Sequence, residues 1–221
     1  MFDAISPTYD LANHLLSCGF DFSWRRRCIR ALDISPGQTI LDCAAGTGDL
    51  AMAVYRRVPE ARVVLLDPSE QMLKVARTKL THFPQAHPKF IQAGAEELPF
   101  ASETFDRVIV AFGIRNFREL DLGLAELFRV TRRGGKGAIL EFTPDRSSVF
   151  QPFFKFYFSH IIKRVGAFIS GDARAYEYLR TSVRNFPASM QLAAKLVRVG
   201  WTVALQERLS GGVVTLFILE K

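Results

Sequence analysis

Two carboxylates bracket a glycine-rich turn near the start of the chain, and together they could bind a small charged molecule. The segment 40–50 reads ILDCAAGTGDL, in which an apolar run ends at Asp42 and is followed by Gly46 and Gly48. Glycines let the backbone turn tightly and approach a ligand closely. A helix-compatible pattern begins at Leu50, and the first turn of a helix offers N–H groups without an intrahelical partner. The spacing therefore predicts a strand, a ligand-binding turn and a helix.

Two classes of ligand use such a turn. A dinucleotide places its pyrophosphate at the helix N-terminus, whereas S-adenosylmethionine offers an ammonium, a carboxylate, a sulfonium and a ribose. The spacing from Gly46 to Ala51 fits G-x-G-x-x-A, which does not separate the two classes. Asp42 and Asp49 favour the cationic amino-acid ligand, because they would repel a pyrophosphate. A tight turn that binds no ligand is the remaining alternative.

Another acid follows the next predicted strand. Residues 63–67 read VVLLD, so Asp67 ends a buried type of strand. In sheets of this architecture, an acid at that place binds the ribose hydroxyls of a nucleoside. Ser69 is a candidate N-cap for the helix that follows. As an alternative to ribose binding, Asp67 caps that helix or binds the nearby backbone.

The rest of the chain alternates between strands and helices, which is typical of a parallel sheet with helices on both faces. Strand–turn–helix units or single strands are predicted at residues 38–57, 61–80, 89–93, 105–133 and 136–142. A helix near 188–199 and two strands at about 201–208 and 213–220 close the chain. The closing strands are joined through a Ser-Gly-Gly turn, so we expect a hairpin with an antiparallel final strand.

One α/β domain over residues 1–221 is the simplest organisation, because the chain has no fixed-period repeat and no Ser/Gly-rich linker. We expect a helical lid at 1–35 and a helical insertion at 147–186, where the alternation stops. The insertion is dense in aromatic side chains interspersed with cations, which suits a helix at a membrane interface or the wall of an apolar cleft. An ordinary buried helix over the sheet is the alternative.

Composition limits the class of protein. With 221 residues, 48% of them hydrophobic, the chain is long and apolar enough for a substantial core. The formal charge of +7 favours anionic partners such as lipid headgroups or nucleic acid, but no aromatic-basic nucleic-acid motif is present. We interpret basic clusters such as Arg25-Arg26-Arg27 as solvated helix faces.

Three cysteines without C-x-x-C spacing argue against a disulfide framework or zinc site. No signal peptide or membrane-spanning run is expected, so we predict a cytoplasmic protein.

Four further motifs lie downstream of the glycine-rich turn. Residues 92–100 read QAGAEELPF and residues 105–110 read FDRVIV. FGIRN occupies 112–116, and LEF occupies 140–142. With the turn, the first two motifs make the chain resemble the class I methyltransferases that use S-adenosylmethionine. The last two narrow the resemblance to the C-methyltransferases of menaquinone and ubiquinone biosynthesis, and the resemblance covers essentially the whole chain.

The resemblance implies a fold and a cofactor site. The fold is a single Rossmann-like class I methyltransferase domain with a mostly parallel seven-stranded sheet, and the cofactor is S-adenosylmethionine with no metal. The cofactor would be bound at Asp42, Gly46, Thr47 and Gly48 (methionine end), at Asp67 (ribose), and at Met72, Gly94, Ala95 and Glu96 (adenine side). Two departures matter: Ala111 stands where some members carry a hydroxyl, and Gly94 where Asn or Asp is more usual. Side-chain contacts to the cofactor would be lost there, while backbone contacts survive.

The resemblance also implies catalytic residues. A quinol ring is most nucleophilic when a hydroxyl next to the reacting carbon is ionised, so the enzyme must stabilise a phenolate. We expect Arg115 to hold the developing oxyanion and Asn116 to orient the ring oxygen. Arginine is too basic to accept the proton itself. Tyr9, Asp172 and Tyr176 are further candidates for proton transfer or ring orientation, and the alternative for each is a purely structural role.

The implied function is C-methylation of a polyprenyl quinol, with demethylmenaquinol as the first choice of substrate. The alternatives are 2-polyprenyl-6-methoxy-1,4-benzoquinol, an unrelated phenolic metabolite, or a quinone-binding scaffold without catalysis. We expect peripheral contact with the inner membrane surface and no nucleic-acid partner. A homodimer is compatible with the sequence.

The cofactor assignment can be tested by calorimetric titration with S-adenosylhomocysteine. We expect the wild-type protein to bind it with micromolar-range affinity and Asp67→Ala to lose that binding, because the ribose contact is removed. NAD in a parallel thermal-shift assay is the control, since only a bound ligand raises the melting temperature. Stabilisation by NAD alone would instead indicate a dehydrogenase.

Overall fold

A seven-stranded sheet forms the centre of the protein. The computed structural model describes residues 10, 14, 17–143, 181–183 and 186–221. The strands are β1 (Thr39–Cys43), β2 (Arg62–Asp67), β3 (Lys89–Gln92), β4 (Phe105–Ala111), β5 (Thr131–Phe142), β6 (Thr202–Leu209) and β7 (Val214–Glu220). Their order in the sheet is β3-β2-β1-β4-β5-β7-β6, and only the pairings of β7 are antiparallel. The predicted fold class and closing hairpin are therefore confirmed.

Among the described residues, five α-helices cover the two faces of this sheet. They are α1 (Phe20–Ala31), α2 (Asp49–Arg57), α3 (Glu70–Leu80), α4 (Leu120–Val130) and α5 (Ser189–Val199). One buried cluster contains side chains of α1, α2 and α3, and the other contains those of α4 and α5. Neighbouring strand residues alternate between the clusters: Ile40 belongs to the first and Leu41 to the second. Both faces are thus apolar, which explains the continuous hydrophobic runs of these strands.

One predicted boundary was wrong. The unit starting at Phe105 was expected to continue to Arg133, but the helix ends at Val130 and β5 begins at Thr131. Thr131 pairs with Phe105, and the register shifts before Arg107 pairs with Lys136. Pairing with β4 therefore extends β5 toward its N-terminal side, through a stretch that contains two glycines and two arginines.

Other predictions fall partly outside the described residues. Of the lid at 1–35, the structure describes residues 10, 14 and 17–35; of the insertion at 147–186, it describes 181–183 and 186. Within the described ranges, no helix is long and apolar enough to cross a membrane.

The carboxyl ends of β1 and β4 meet at the point where the strand order reverses. Connections leave these adjacent strands toward opposite faces of the sheet, which opens a crevice between them. Each strand is followed by a non-glycine residue in the left-handed region, Ala44 with φ 54° and Phe112 with φ 58°. Such conformations cost energy, and they cluster at functional sites. The two ends touch at Gly113, where an added Cβ would lie 2.6 Å from the Cβ of Ala44.

Gly113→Ala should destabilise the fold by about 1–3 kcal/mol, because the methyl group has no space beside rigid neighbours. Gly94→Ala is the matched control. Its Cβ would meet only the tip of the flexible Glu96 side chain, at 2.9 Å. Urea unfolding of both variants measures the difference, and equal stabilities would contradict the tight contact between the two strand ends.

Candidate active site at the carboxyl ends of β1 and β4

The glycine-rich turn between β1 and α2 is fixed by Asp67. Gly46 and Gly48 have φ of 54° and 81°, the left-handed region that glycine tolerates. The Gly46 N–H donates to Asp67 Oδ2 at 2.8 Å, and the Ser69 N–H donates to Asp67 Oδ1 at 2.9 Å. Ser69 caps α3 as predicted, accepting from the Met72 N–H at 3.2 Å. The carboxylate of Asp67 thus joins two loops at the sheet edge, and its backbone-binding role is observed.

Asp42 is buried at the end of β1 with an unsatisfied oxygen. Its exposed fraction is 1%, and its Oδ2 has no hydrogen-bond partner among the described residues. Burial raises the pKa of this carboxyl to about 8; the Ala51 N–H and Arg25 oppose the rise, and Asp67 and Asp49 add to it. An isolated buried carboxylate is costly, so this oxygen is suited to a cationic or hydrogen-bonding ligand.

Asp49 does not act as the free second acid expected beside the turn. Lys79 Nζ forms an ion pair with Asp49 Oδ1, and Arg25 Nη2 lies 3.5 Å from Asp49 Oδ2. Both cations compensate its charge, so the electrostatic preference for a cationic ligand falls mainly on Asp42. Arg25 was predicted on a solvated helix face, and this was wrong: it is 8% exposed and also pairs with Asp21.

The same network reaches Thr47. Its hydroxyl donates to Asp10 Oδ1 and accepts from Lys79 Nζ at 3.3 Å, while Lys79 Nζ also lies 2.8 Å from Asp10 Oδ2. The Nδ1–H of His14 donates to Asp21 Oδ2 at 2.8 Å. The side chain of Thr47 therefore connects the turn to Asp10 and to Lys79 of α3.

The residues assigned to the adenine side follow β2 and β3 in the chain. Met72 and Ala95 are buried, with exposed fractions of 3% and 5%. Glu96 Oε1 accepts from the Arg118 N–H at 2.6 Å, which leaves the second oxygen, Oε2, beside Gly94. These positions thus combine apolar side chains with one carboxylate, as small-molecule sites commonly do.

Arg115 follows β4 and is held inside the protein by Glu141. The side chain of Arg115 is 7% exposed, and that of Glu141 is fully buried. Nη1 of Arg115 donates to Glu141 Oε1 at 2.7 Å and to the Phe112 carbonyl at 2.6 Å. Its Nε–H is buried and has no acceptor among the described residues. Burial raises the pKa of Glu141, and Arg115 acts against that rise.

Of the other predicted catalytic residues, only Asn116 lies in the part of the chain that the structure describes. Asn116 ends the 3₁₀ turn Ile114–Asn116, and its N–H donates to the Gly113 carbonyl at 3.0 Å. Tyr9, Asp172 and Tyr176 lie outside the described residues.

Sequence reasoning missed two polar residues of this region, Glu141 and Lys79. Glu141 stood inside a motif used only for the resemblance, although an acid within an apolar strand near its carboxyl end is itself a signal. Lys79 lies in the last turn of α3, where a cation favours the helix dipole, so nothing in its local sequence distinguishes it.

Comparisons with known proteins find relatives over the whole chain. The family model of the ubiE/COQ5 methyltransferase family matches residues 1–221. A demethylmenaquinone methyltransferase of Thermus thermophilus is 42% identical, with 99% of this chain and 98% of that protein covered. One of Deinococcus radiodurans is 43% identical over 91% of this chain and 83% of that protein. A ubiquinone/menaquinone biosynthesis C-methyltransferase UbiE of Syntrophotalea carbinolica is 39% identical, with coverages of 98% and 91%.

Solved structures give the same fold at low identity. A S-adenosyl-L-methionine-dependent methyltransferase of Methanococcus maripaludis, described as putative, has a TM-score of 0.69 at 15% identity, covering 100% of this chain and 94% of that one. One of Aquifex aeolicus has a TM-score of 0.64 at 16% identity, with 88% of both chains covered. Fold and site thus define an S-adenosylmethionine-dependent methyltransferase. Within that class, the chain belongs to the ubiE/COQ5 methyltransferase family.

Asp42→Asn should change the pH dependence of stability. The pKa of Asp42 is about 8 in the folded protein, against about 4 in an unfolded chain. Between those values the native state retains a proton that the unfolded state releases, so wild-type stability falls as pH rises toward 8, by at most about 1.4 kcal/mol per pH unit. The variant lacks this titration, and its stability relative to the wild type should increase from pH 5 to pH 8.

Asp106→Asn is the control for this experiment. Burial would raise the pKa of Asp106, but hydrogen bonds from the Thr39 N–H and Arg132 hold it below the ordinary value. Its contribution is therefore present above the unfolded pKa and lost only in acid. Chemical unfolding at several pH values measures both, and parallel curves for Asp42→Asn and the wild type would contradict the raised pKa.

Proposed function

We propose that this protein transfers a methyl group from S-adenosylmethionine to a ring carbon of demethylmenaquinol, at the crevice between β1 and β4. The names of the relatives in Thermus thermophilus and Deinococcus radiodurans support the naphthoquinol. The relative in Syntrophotalea carbinolica is named for ubiquinone as well as menaquinone biosynthesis, which keeps 2-polyprenyl-6-methoxy-1,4-benzoquinol as the alternative substrate.

One observation supports this function most directly: at the carboxyl ends of adjacent strands lie two buried side-chain polar atoms that have no hydrogen-bond partner among the described residues. Asp42 Oδ2 is an acceptor at the end of β1, and Arg115 Nε–H is a donor just after β4. Unpaired buried polar groups are rare in folded proteins because each one costs free energy. An ammonium group would satisfy the first, and a phenolate oxygen would satisfy the second. These are the charged groups of the cofactor and of an ionised quinol.

The residues around the turn fit S-adenosylmethionine. Asp42 would bind the ammonium, the backbone at Gly46, Thr47 and Gly48 would approach the methionine moiety, and Asp67 would bind the ribose. Met72, Gly94, Ala95 and Glu96 would surround the adenine. When bound, the cofactor supplies an electrophilic methyl group.

The protein's own contribution to the reaction is positioning and charge. Arg115 stabilises the negative charge that forms on the ring oxygen, and Asn116 orients that oxygen. Phe112 and Phe142, with ring centroids 4.8 Å apart, offer an aromatic surface beside Arg115. Tyr9, Asp172 and Tyr176 are proposed for proton transfer or ring orientation. Holding the ring in line with the methyl group supplies much of the rate.

A polyprenyl quinol is dissolved in lipid, so the protein must meet it at a membrane surface. We assign this contact to the aromatic and basic insertion at 147–186, whose composition suits a membrane interface. The protein would then be cytoplasmic and peripheral on the inner membrane, and the apolar wall of the cleft would be continuous with the membrane-facing surface.

The substrate can be identified by incubating the protein with S-adenosylmethionine and each reduced quinone, followed by mass spectrometry of the products. We expect methylation of demethylmenaquinol at a higher kcat/KM than of the benzoquinol. Faster methylation of the benzoquinol would select the alternative. Binding of S-adenosylhomocysteine without methylation of either would favour the silent scaffold.

Arg115→Lys should lower kcat about 10²–10³-fold, the usual effect of losing an oxyanion donor. The affinity for S-adenosylhomocysteine should stay within about twofold, since Arg115 is assigned to the quinol and uniform binding is unaffected. Arg62→Lys is the matched control, because Arg62 is exposed at the amino end of β2, away from the crevice at the carboxyl ends of the strands. An unchanged kcat in Arg115→Lys would remove Arg115 from the reaction.

A further inference from the structure

Arg115, after β4, and Glu141, in β5, form a buried ion pair. Glu141 is fully buried in β5, and its Oε1 also accepts from the Phe142 N–H at 2.8 Å. This hydrogen bond holds the carboxylate in place independently of Arg115. Placing a charge so deep in an apolar strand is expensive, and a buried ion pair is often no more stabilising than apolar residues of the same size. The pair is thus poorly explained by stability.

The pair fixes the orientation of the Arg115 guanidinium. Nη1 is occupied by Glu141 and by the Phe112 carbonyl, and the face of the guanidinium lies 5.6 Å from the centre of the Phe142 ring. The Nε–H is buried, and none of the residues that the structure describes accepts from it. Because the guanidinium is planar and rigid, fixing Nη1 also fixes the direction of the Nε–H bond.

We propose that Glu141 is a positioning residue for methyl transfer, which acts by holding Arg115 so that its Nε–H points at the anionic ring oxygen of the acceptor. This rests on the proposed function, in which Arg115 binds that oxygen. Glu141 itself touches neither cofactor nor acceptor. Its contribution is preorganisation: the donor needs no reorientation when charge develops.

Two variants separate reach from charge. Glu141→Gln keeps the length of the side chain and removes the charge, whereas Glu141→Asp keeps the charge and shortens the reach. Both should lower kcat for the methyl acceptor about 10–100-fold, since misplacement of a catalytic donor by about 1 Å has effects of that size. The affinity for S-adenosylhomocysteine should stay within about twofold of wild type.

Thr215→Val is the matched control for loss of a buried polar contact. Thr215 pairs with Glu141 across β5 and β7, and its hydroxyl shares a buried hydrogen bond with Thr143. This variant should lower the melting temperature without lowering kcat. In the background of Arg115→Lys, the substitution Glu141→Gln should cost far less than it does alone, because the two residues act as a unit.

A spectroscopic readout is independent of the acceptor. In protein labelled with ¹⁵N-arginine, the Arg115 guanidinium should give separate, slowly exchanging Nη proton signals, identified by their disappearance in Arg115→Lys. The signals should average in both Glu141 variants and persist in Thr215→Val. Unchanged signals, or a wild-type kcat in either Glu141 variant, would overturn the proposal. Failure of the wild type to methylate any quinol would instead reject the proposed function, while the signals still decide whether Glu141 orients Arg115.

Discussion

The contact between the ends of β1 and β4 is the constraint on which the site depends. Ala44 and Phe112 both adopt the left-handed conformation. Only glycine at position 113 lets the two strand ends approach so closely, because any Cβ there would clash with Ala44. Phe112 is held there by its N–H, which donates to the Leu140 carbonyl at 2.8 Å, and by packing against Phe142. The two turns leave adjacent strands in opposite directions, one toward α2 and one toward Arg115.

A polar network attaches the first of these turns to the helical region before the sheet. Asp49 lies at its centre, between Lys79 of α3 and Arg25 of α1. Such charges are costly to bury singly and become tolerable when paired and hydrogen-bonded. Because α1, α2 and α3 all contribute, the conformation of the turn is coupled to the packing of three helices rather than to its glycines alone.

The sequence was sufficient for features encoded locally. Gly46 and Gly48 required a left-handed turn, Ser69 preceded its helix as an N-cap, and the Ser-Gly-Gly turn marked the final hairpin. Features set by distant pairing were not predictable. The burial of Arg25, the compensation of Asp49 and the contact of Arg115 with Glu141 all depend on which strands and helices become neighbours. The start of β5 at Thr131 has the same origin, since its partner lies on another strand.

The position of β7 has a consequence for how the chain is made. β7 follows β6 in the sequence, yet it lies between β5 and β6 in the sheet. During synthesis, the edge of β5 therefore remains open until β7 has left the ribosome, and β6 cannot join the sheet before then. An open apolar edge is a template for wrong pairing between nascent chains. The hairpin of β6 and β7 is local and forms quickly, so both strands can dock on β5 together and close that edge in one step.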